Sequence, residues 1–224
     1  MKNKTFLWLI PILVMALLAP FTSFLDLSIE RYFYHLGEGT VEHFVVHPFY
    51  EFMYNYAILP SWFIVIPAII ILALSYLIKS FKVWKQHALY LVLTFVIGAG
   101  FIVHATFKDH WGRPRPKQVI EFGGIQEFRP FYKPNFHPPE PSKSFPCGHC
   151  SVGFYFFSFV FLGARLRKKW ITNAGWILGI GLGSFLGLTR MAEGGHFLSD
   201  VLMSGLIMWL TALACDWLIY EETT

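Results

Sequence analysis

Charge is what this chain has least of. Lys, Arg, Asp and Glu together make up 14% of its 224 residues, where a soluble domain carries about a quarter. A chain this poor in charge and 55% hydrophobic cannot cover itself with polar surface. That argues against an ordinary soluble enzyme and for an integral membrane protein. Cysteine is also scarce. Three Cys in no regular array argue against a disulfide scaffold or a zinc module. No internal repeat and no low-complexity tract divides the chain, so 1–224 reads as a single domain. The net charge of +4 is modest; no nucleic-acid partner, cofactor or obligate protein partner is expected.

What the chain has is apolar runs and aromatics, 24 of them Phe. Six runs approach the ~20 residues that cross a bilayer: 6–24, 57–78, 87–107, a short one at 149–164, 170–188 and 197–220. The first follows Lys2 and Lys4, as a secretory signal does, but its length favours a retained span. Pro11 and Pro20 are tolerable within it. Between Asp26 and Tyr56, acidic residues alternate with aromatics suited to a membrane boundary, which predicts one or two short interfacial helices. The fifth run carries Gly175, Gly179, Gly181, Gly183 and Gly187, which permits close helix packing in lipid. The expected fold class is therefore all-α: a polytopic membrane protein of six transmembrane helices, with an interfacial helical segment after the first span.

The loops orient this layout. Lys79, Lys82 and Lys85 fill one short loop, and Arg165, Arg167, Lys168 and Lys169 another. Both fall on the side of the basic N-terminus, which the positive-inside rule makes cytoplasmic. The long connection 108–146 then lies on the outer face. It holds Lys108, Arg113, Arg115, Lys117, Arg129, Lys133 and Lys143, against four acidic residues, and eight of the 13 prolines. Its basic residues run against the rule, and a bound anion explains them. A loop so long and Pro-rich is expected to face substrate with little regular structure.

Three clusters converge on that face. One is Lys108-Asp109-His110-Trp111-Gly112-Arg113-Pro114-Arg115-Pro116. The second is Pro146-Cys147-Gly148-His149. The third is Thr189-Arg190 followed by His196 and Asp200. Four residues apart, His196 and Asp200 share a face if the segment is helical. A carboxylate there holds the proton of one imidazole nitrogen and leaves the other free to attack. Lys108, Arg115 and Arg190 can neutralise a phosphate ester, and backbone N–H groups of Cys147 and Gly148 add an anion seat where a helix begins. His149 can protonate a leaving oxygen. His104, within the third run, is expected to be only a satisfied helix-end residue. His110, Arg113, Lys117 and Glu193 are expected to shape the loop or tune charge.

Together the clusters resemble the three-part signature of the type 2 phosphatidic-acid phosphatase (PAP2) superfamily. Its pattern is Lys, six residues, Arg-Pro; then Pro-Ser-Gly-His; then Ser-Arg, five residues, His, three residues, Asp. Every internal spacing is kept here, within 108–200. Cys147 and Thr189 stand where the pattern has Ser, which puts the Cys147 side-chain contact to phosphate in doubt. The resemblance implies a metal-free lipid phosphatase working through a phosphohistidine. His196 is its nucleophile, Asp200 holds His196, and His149 is its acid. Its substrate is a phosphomonoester or pyrophosphate on a lipid: phosphatidic acid, phosphatidylglycerophosphate, undecaprenyl pyrophosphate or a lipid A phosphate. The expected location is a bacterial inner membrane, with the site facing the periplasm.

One rival reading comes from Cys147-Gly148-His149-Cys150, which resembles the redox motif of thiol–disulfide oxidoreductases. It leaves Lys108, Arg115, Arg190, His196 and Asp200 unexplained. In the phosphatase reading Cys147 stands in for the Ser, and helical geometry disfavours a bridge to Cys150.

Overall fold

The computed structural model describes residues 5–36, 43–45 and 47–220. Lys2 and Lys4, part of the basic N-terminus, lie outside the described residues. Among the described residues eight α-helices run in chain order: α1 Thr5–Leu36, α2 Pro48–Tyr56, α3 Leu59–Leu77, α4 Lys85–Leu93, α5 Gly148–Phe154, α6 Phe157–Arg165, α7 Lys169–Ala192 and α8 Leu198–Tyr220. A 3₁₀ turn over Lys79–Trp84 leads into α4, which continues without a break as a π-helical stretch, Thr94–Lys108. Among the described residues there is no β-strand, only an isolated parallel bridge between Val119 and Gln126. The class is all-α.

Among the described residues five helical stretches are long and apolar enough to cross a membrane: Thr5–Leu36, Pro48–Leu77, Lys79–Lys108, Lys169–Ala192 and Leu198–Tyr220. Their outward faces carry large apolar side chains such as Leu17, Phe63, Leu77 and Ile177, each more than two-thirds exposed. In water such a surface would aggregate; in lipid it is solvated. The expected fourth span is different. Residues 148–165 form two short helices, α5 and α6, broken at Tyr155-Phe156 and almost wholly buried inside the bundle. A broken helix is tolerated there because protein, not lipid, surrounds it. The first helix also runs twelve residues past the expected end at Phe24, straight through Asp26 and Glu30, with Pro11 and Pro20 inside it. The short helix expected after it is α2. His47 caps it, its Nδ1 accepting from the Phe49 amide at 3.1 Å, and Pro48 opens it.

The glycine face of α7 packs on α5 and α6. A Cβ on Gly183 would fall 2.3 Å from the Phe154 ring, and one on Gly175 2.5 Å from the Val160 backbone nitrogen. These helices meet nearly backbone to backbone.

The connection 108–146 has only two 3₁₀ turns, Pro116–Gln118 and Ile120–Phe122. It is nonetheless fixed, through a wholly buried Arg113. Arg113 donates from Nη2 to Asp26 on α1 (2.8 Å), from Nη1 to Asp200 on α8 (2.5 Å) and to Ser199 Oγ (2.8 Å), and from Nε to the Arg129 carbonyl (2.8 Å). Phe197 stacks on the guanidinium at 4.5 Å. Ser199 closes the ring, donating from its amide and hydroxyl to Asp26 at 2.8 and 2.7 Å. One cation thus ties the loop, α1 and α8 together. Removing it strands two buried carboxylates. Arg113→Ala should lower stability by about 3–5 kcal/mol, read as thermal unfolding in detergent. Asp26→Asn, which keeps the shape and removes one charge, should cost less.

Candidate functional site

The third cluster folds as a turn. α7 ends at Ala192, Gly194 adopts φ +61°, and α8 begins at Leu198. His196 therefore precedes the helix, with Asp200 in its first turn. The two do not form the direct hydrogen bond that helical spacing predicts: Asp200 Oδ2 stands 3.8 Å from His196 Nδ1. The carboxylate is already engaged by Arg113, by the Ser144 hydroxyl at 2.6 Å and by the Phe197 amide at 2.9 Å. The Nδ1 proton goes instead to the Ser144 carbonyl, 2.5 Å away. That fixes the tautomer and leaves Nε2 with its lone pair. Ser144 carries no signal in the sequence; it acts through its backbone, and any residue has a carbonyl.

Burial is the main force on His196, which is 1% exposed. It pushes the imidazole pKa down to about 3; the charges of Lys108 and Arg190 add to this, and Asp200 opposes it. His196 is neutral at any physiological pH. The unfolded chain would bind a proton there below about 6.5 that the folded chain refuses. Stability from this group is thus present above pH 6.5 and lost as pH falls. The slope is about 1.4 kcal/mol per pH unit well below 6.5. A His196→Asn variant should show a flatter fall in thermal stability from pH 7 to 5 than the wild type.

The second cluster opens α5. Cys147 is the N-cap, in extended geometry, and its Sγ lies 3.3 Å from the Cys150 amide. The expectation of an unbridged Cys147 is overturned: Cys147 and Cys150 form a disulfide across a Cα separation of 5.3 Å. Cys147 sits before the helix, so its Cβ swings back over the first turn, which uninterrupted helical geometry would not allow. The backbone amides left open at the helix start are also shifted by one residue from the expected pair. The Cys147 amide donates to the Asp200 carbonyl at 3.3 Å. The open amides of the helix start are those of Gly148 and His149. Gly148 must be Gly, since a Cβ there would fall 2.8 Å from His104 Nε2 and 3.2 Å from Lys108 Nζ. His104 is thus more than a helix-end residue. Its Nδ1 lies 2.7 Å from the Ala99 carbonyl, while Nε2 looks onto the same backbone that Lys108 approaches.

Lys108 ends the π-helical stretch, Arg115 precedes the turn at Pro116–Gln118, and Arg190 lies near the end of α7. Lys108 feels the charge of Arg115, Arg190 and Asp200, so the three sequence clusters share one site. Arg190 pairs with Glu193. Gly195 must lack a side chain for the guanidinium to fit, since a Cβ there would fall 2.4 Å from Nη2. One participant was not legible as such. Tyr54, on α2, lies between His149 and Arg190: its ring is 4.4 Å from the His149 ring and 4.7 Å from the Arg190 guanidinium carbon. Among the aromatics of 32–56, nothing in the sequence distinguished it from a membrane belt.

Among the described residues no three His, Cys, Asp or Glu side chains are grouped to hold a metal ion. The arrangement collects three cations, two open amides and a neutral, oriented imidazole. It can hold a tetrahedral oxyanion and attack it.

Comparison with known proteins gives this chemistry relatives. The PAP2 superfamily model matches residues 88–223. Over 162 residues the chain is 36% identical to a lipid A 4′-phosphatase of Francisella tularensis subsp. novicida, covering 72% of this chain and 69% of that one. Over 125 residues it is 33% identical to a lipid A 1-phosphatase of Rhizobium etli, covering 53% and 47%. A lipid A 4′-phosphatase of Rhizobium leguminosarum is 32% identical over 124 residues, covering 54% and 48%. No solved structure matches. The match spans more than half of the chain and takes in the Lys108, His149 and His196 clusters together: the protein belongs to the PAP2 superfamily and is an integral-membrane phosphatase.

Proposed function

We propose that the protein removes phosphate from a phosphorylated sugar lipid of the lipid A kind, through a phosphohistidine on His196, at the outer face of a bacterial inner membrane. The observation that carries this reading is the His196 imidazole, neutral and bonded through Nδ1 to Ser144, with Nε2 free. In the first step Nε2 attacks phosphorus, the N–P bond forms and the ester P–O bond breaks. His149 gives a proton to the departing oxygen. In the second step water attacks the phosphohistidine, its proton passes to His149, and phosphate leaves as the N–P bond breaks. Lys108, Arg115 and Arg190 hold the charge of the transferring group throughout. Asp200 acts on His196 through Ser144 and by its charge. Cys147 and Gly148 shape the phosphate seat, and the bridge to Cys150 fixes its first turn. No metal takes part. Nothing in the comparisons supports the thiol–disulfide oxidoreductase reading.

The lipid class rests on the relatives, two named as lipid A 4′-phosphatases and one as a lipid A 1-phosphatase. The orientation rests on the basic loops at 79–85 and 165–169, remote in sequence from the motif residues.

Phosphate release should be measured on lipid A phosphates, phosphatidic acid, phosphatidylglycerophosphate and undecaprenyl pyrophosphate. The sugar lipid should be preferred; faster turnover of soluble phosphoesters than of every lipid would overturn the reading. His196→Ala should abolish turnover and any trapped phosphoenzyme, while Asp200→Asn should be milder. Vanadate should inhibit and EDTA should not. Tyr54→Phe keeps the ring between His149 and Arg190 and should stay active. Tyr54→Ala should lower kcat by about tenfold to a hundredfold, with a smaller change in KM, because misplacing reacting groups by an ångström costs that much.

A further inference from the structure

Beside the phosphate site a cleft of about 340 Å³ opens, its lining part polar and part apolar. Its walls come from three separate segments: Phe44, His47 and Glu51 leading into α2, Lys117 just past Arg115, and Arg190 with Glu193. Backbone bonds lock these segments together, Val45 donating to the Ala192 carbonyl at 3.0 Å and Lys117 to the Gly194 carbonyl at 3.2 Å. Phe44, 1% exposed, packs under Gly194, where a Cβ would fall 2.7 Å from its ring. The cleft is thus a built concavity of ligand-binding size, and it shares Arg190 with the catalytic site.

Its chemistry differs from that of the phosphate seat. Lys117 and Arg190 donate; Glu51 and Glu193 accept. A second phosphate would meet two carboxylates beside the two cations, with Arg190 and Glu193 already paired, so the cleft offers it no net positive charge. A glycerol or isoprenoid carrier brings few groups to satisfy such a lining. A pyranose ring brings hydroxyls and an amide that both donate and accept, and carboxylates are strong acceptors for hydroxyls. We propose that this cleft binds the sugar ring carrying the phosphate to be removed, and that Glu51 and Lys117 select a phosphorylated amino sugar over a phosphorylated glycerolipid. The inference rests on the lipid phosphatase reading and deepens it.

The test compares kcat/KM on lipid A carrying a single phosphate with kcat/KM on phosphatidic acid, in the same mixed micelles, for the wild type, Glu51→Gln and Lys117→Met. Both substitutions keep side-chain volume, so misfolding is not the expected failure, and intact folding is checked by thermal unfolding. The ratio of the two values should fall by about tenfold or more in each variant, mainly through KM on the sugar lipid. Equal losses on both lipids, or none on either, would overturn the inference. So would a wild type that prefers phosphatidic acid. A wild type that hydrolyses soluble esters but neither lipid would instead overturn the lipid phosphatase reading, and this inference with it.

Discussion

The site depends on one buried cation. Arg113 lies between Asp26 and Asp200 with no exposed surface. A charge in that position is expensive unless every partner is in place. Its partners come from three parts of the chain: α1, α8 and the proline-rich connection. The connection has little regular structure to stiffen it, yet Ser144, which orients His196, sits within it. Arg113 also accepts a backbone bond, since the Ser144 amide donates to its carbonyl at 3.0 Å. The residue that neutralises Asp200 thus also fixes the chain that orients His196. The carboxylate of the third motif acts less as a direct partner of the imidazole than as the node through which loop and helix agree.

The short helix α2 has a comparable role at the other side of the site. Its His47-Pro48 start sets its direction, and its last turn carries Tyr54 to the two residues that the second and third motifs contribute. A segment whose composition suggests only a membrane boundary therefore supplies the ring that lies between His149 and Arg190. The neighbouring cleft is built from the residues just before and within that same helix, so both concavities share one short element.

Much of this was legible in the sequence, and the reasons divide cleanly. Low charge and long apolar runs identify a helical membrane protein because lipid leaves few other options. The spacing of Lys108, Arg115, His149, Arg190, His196 and Asp200 could be read because each bears a side chain suited to phosphate chemistry. What escaped was of another kind. Asp26 and Glu30 read as the end of a span because acidic residues usually mark a boundary; here Asp26 is covered by Arg113, some 87 positions away. Ser144 escaped because its contact with His196 is through a carbonyl. The split of the fourth span escaped because hydropathy does not register whether protein or lipid surrounds a helix. The disulfide was judged against regular helical geometry, whereas Cys147 stands one residue before the helix begins.

The glycine face of α7 has a consequence for alignment. His149 rides on α5 and Arg190 on α7, and the two helices are registered where Gly183 meets Phe154 and Gly153 meets the Gly183 backbone. Flexible side chains would act as springs between helices, absorbing small errors in spacing. Backbone against backbone has almost no compliance. The distance between the His149 ring and the Arg190 guanidinium is therefore gauged by peptide planes in the apolar bundle. Drift in that seam, caused by a change in bilayer thickness or by one added methyl group, would be transmitted to the chemistry almost undiminished.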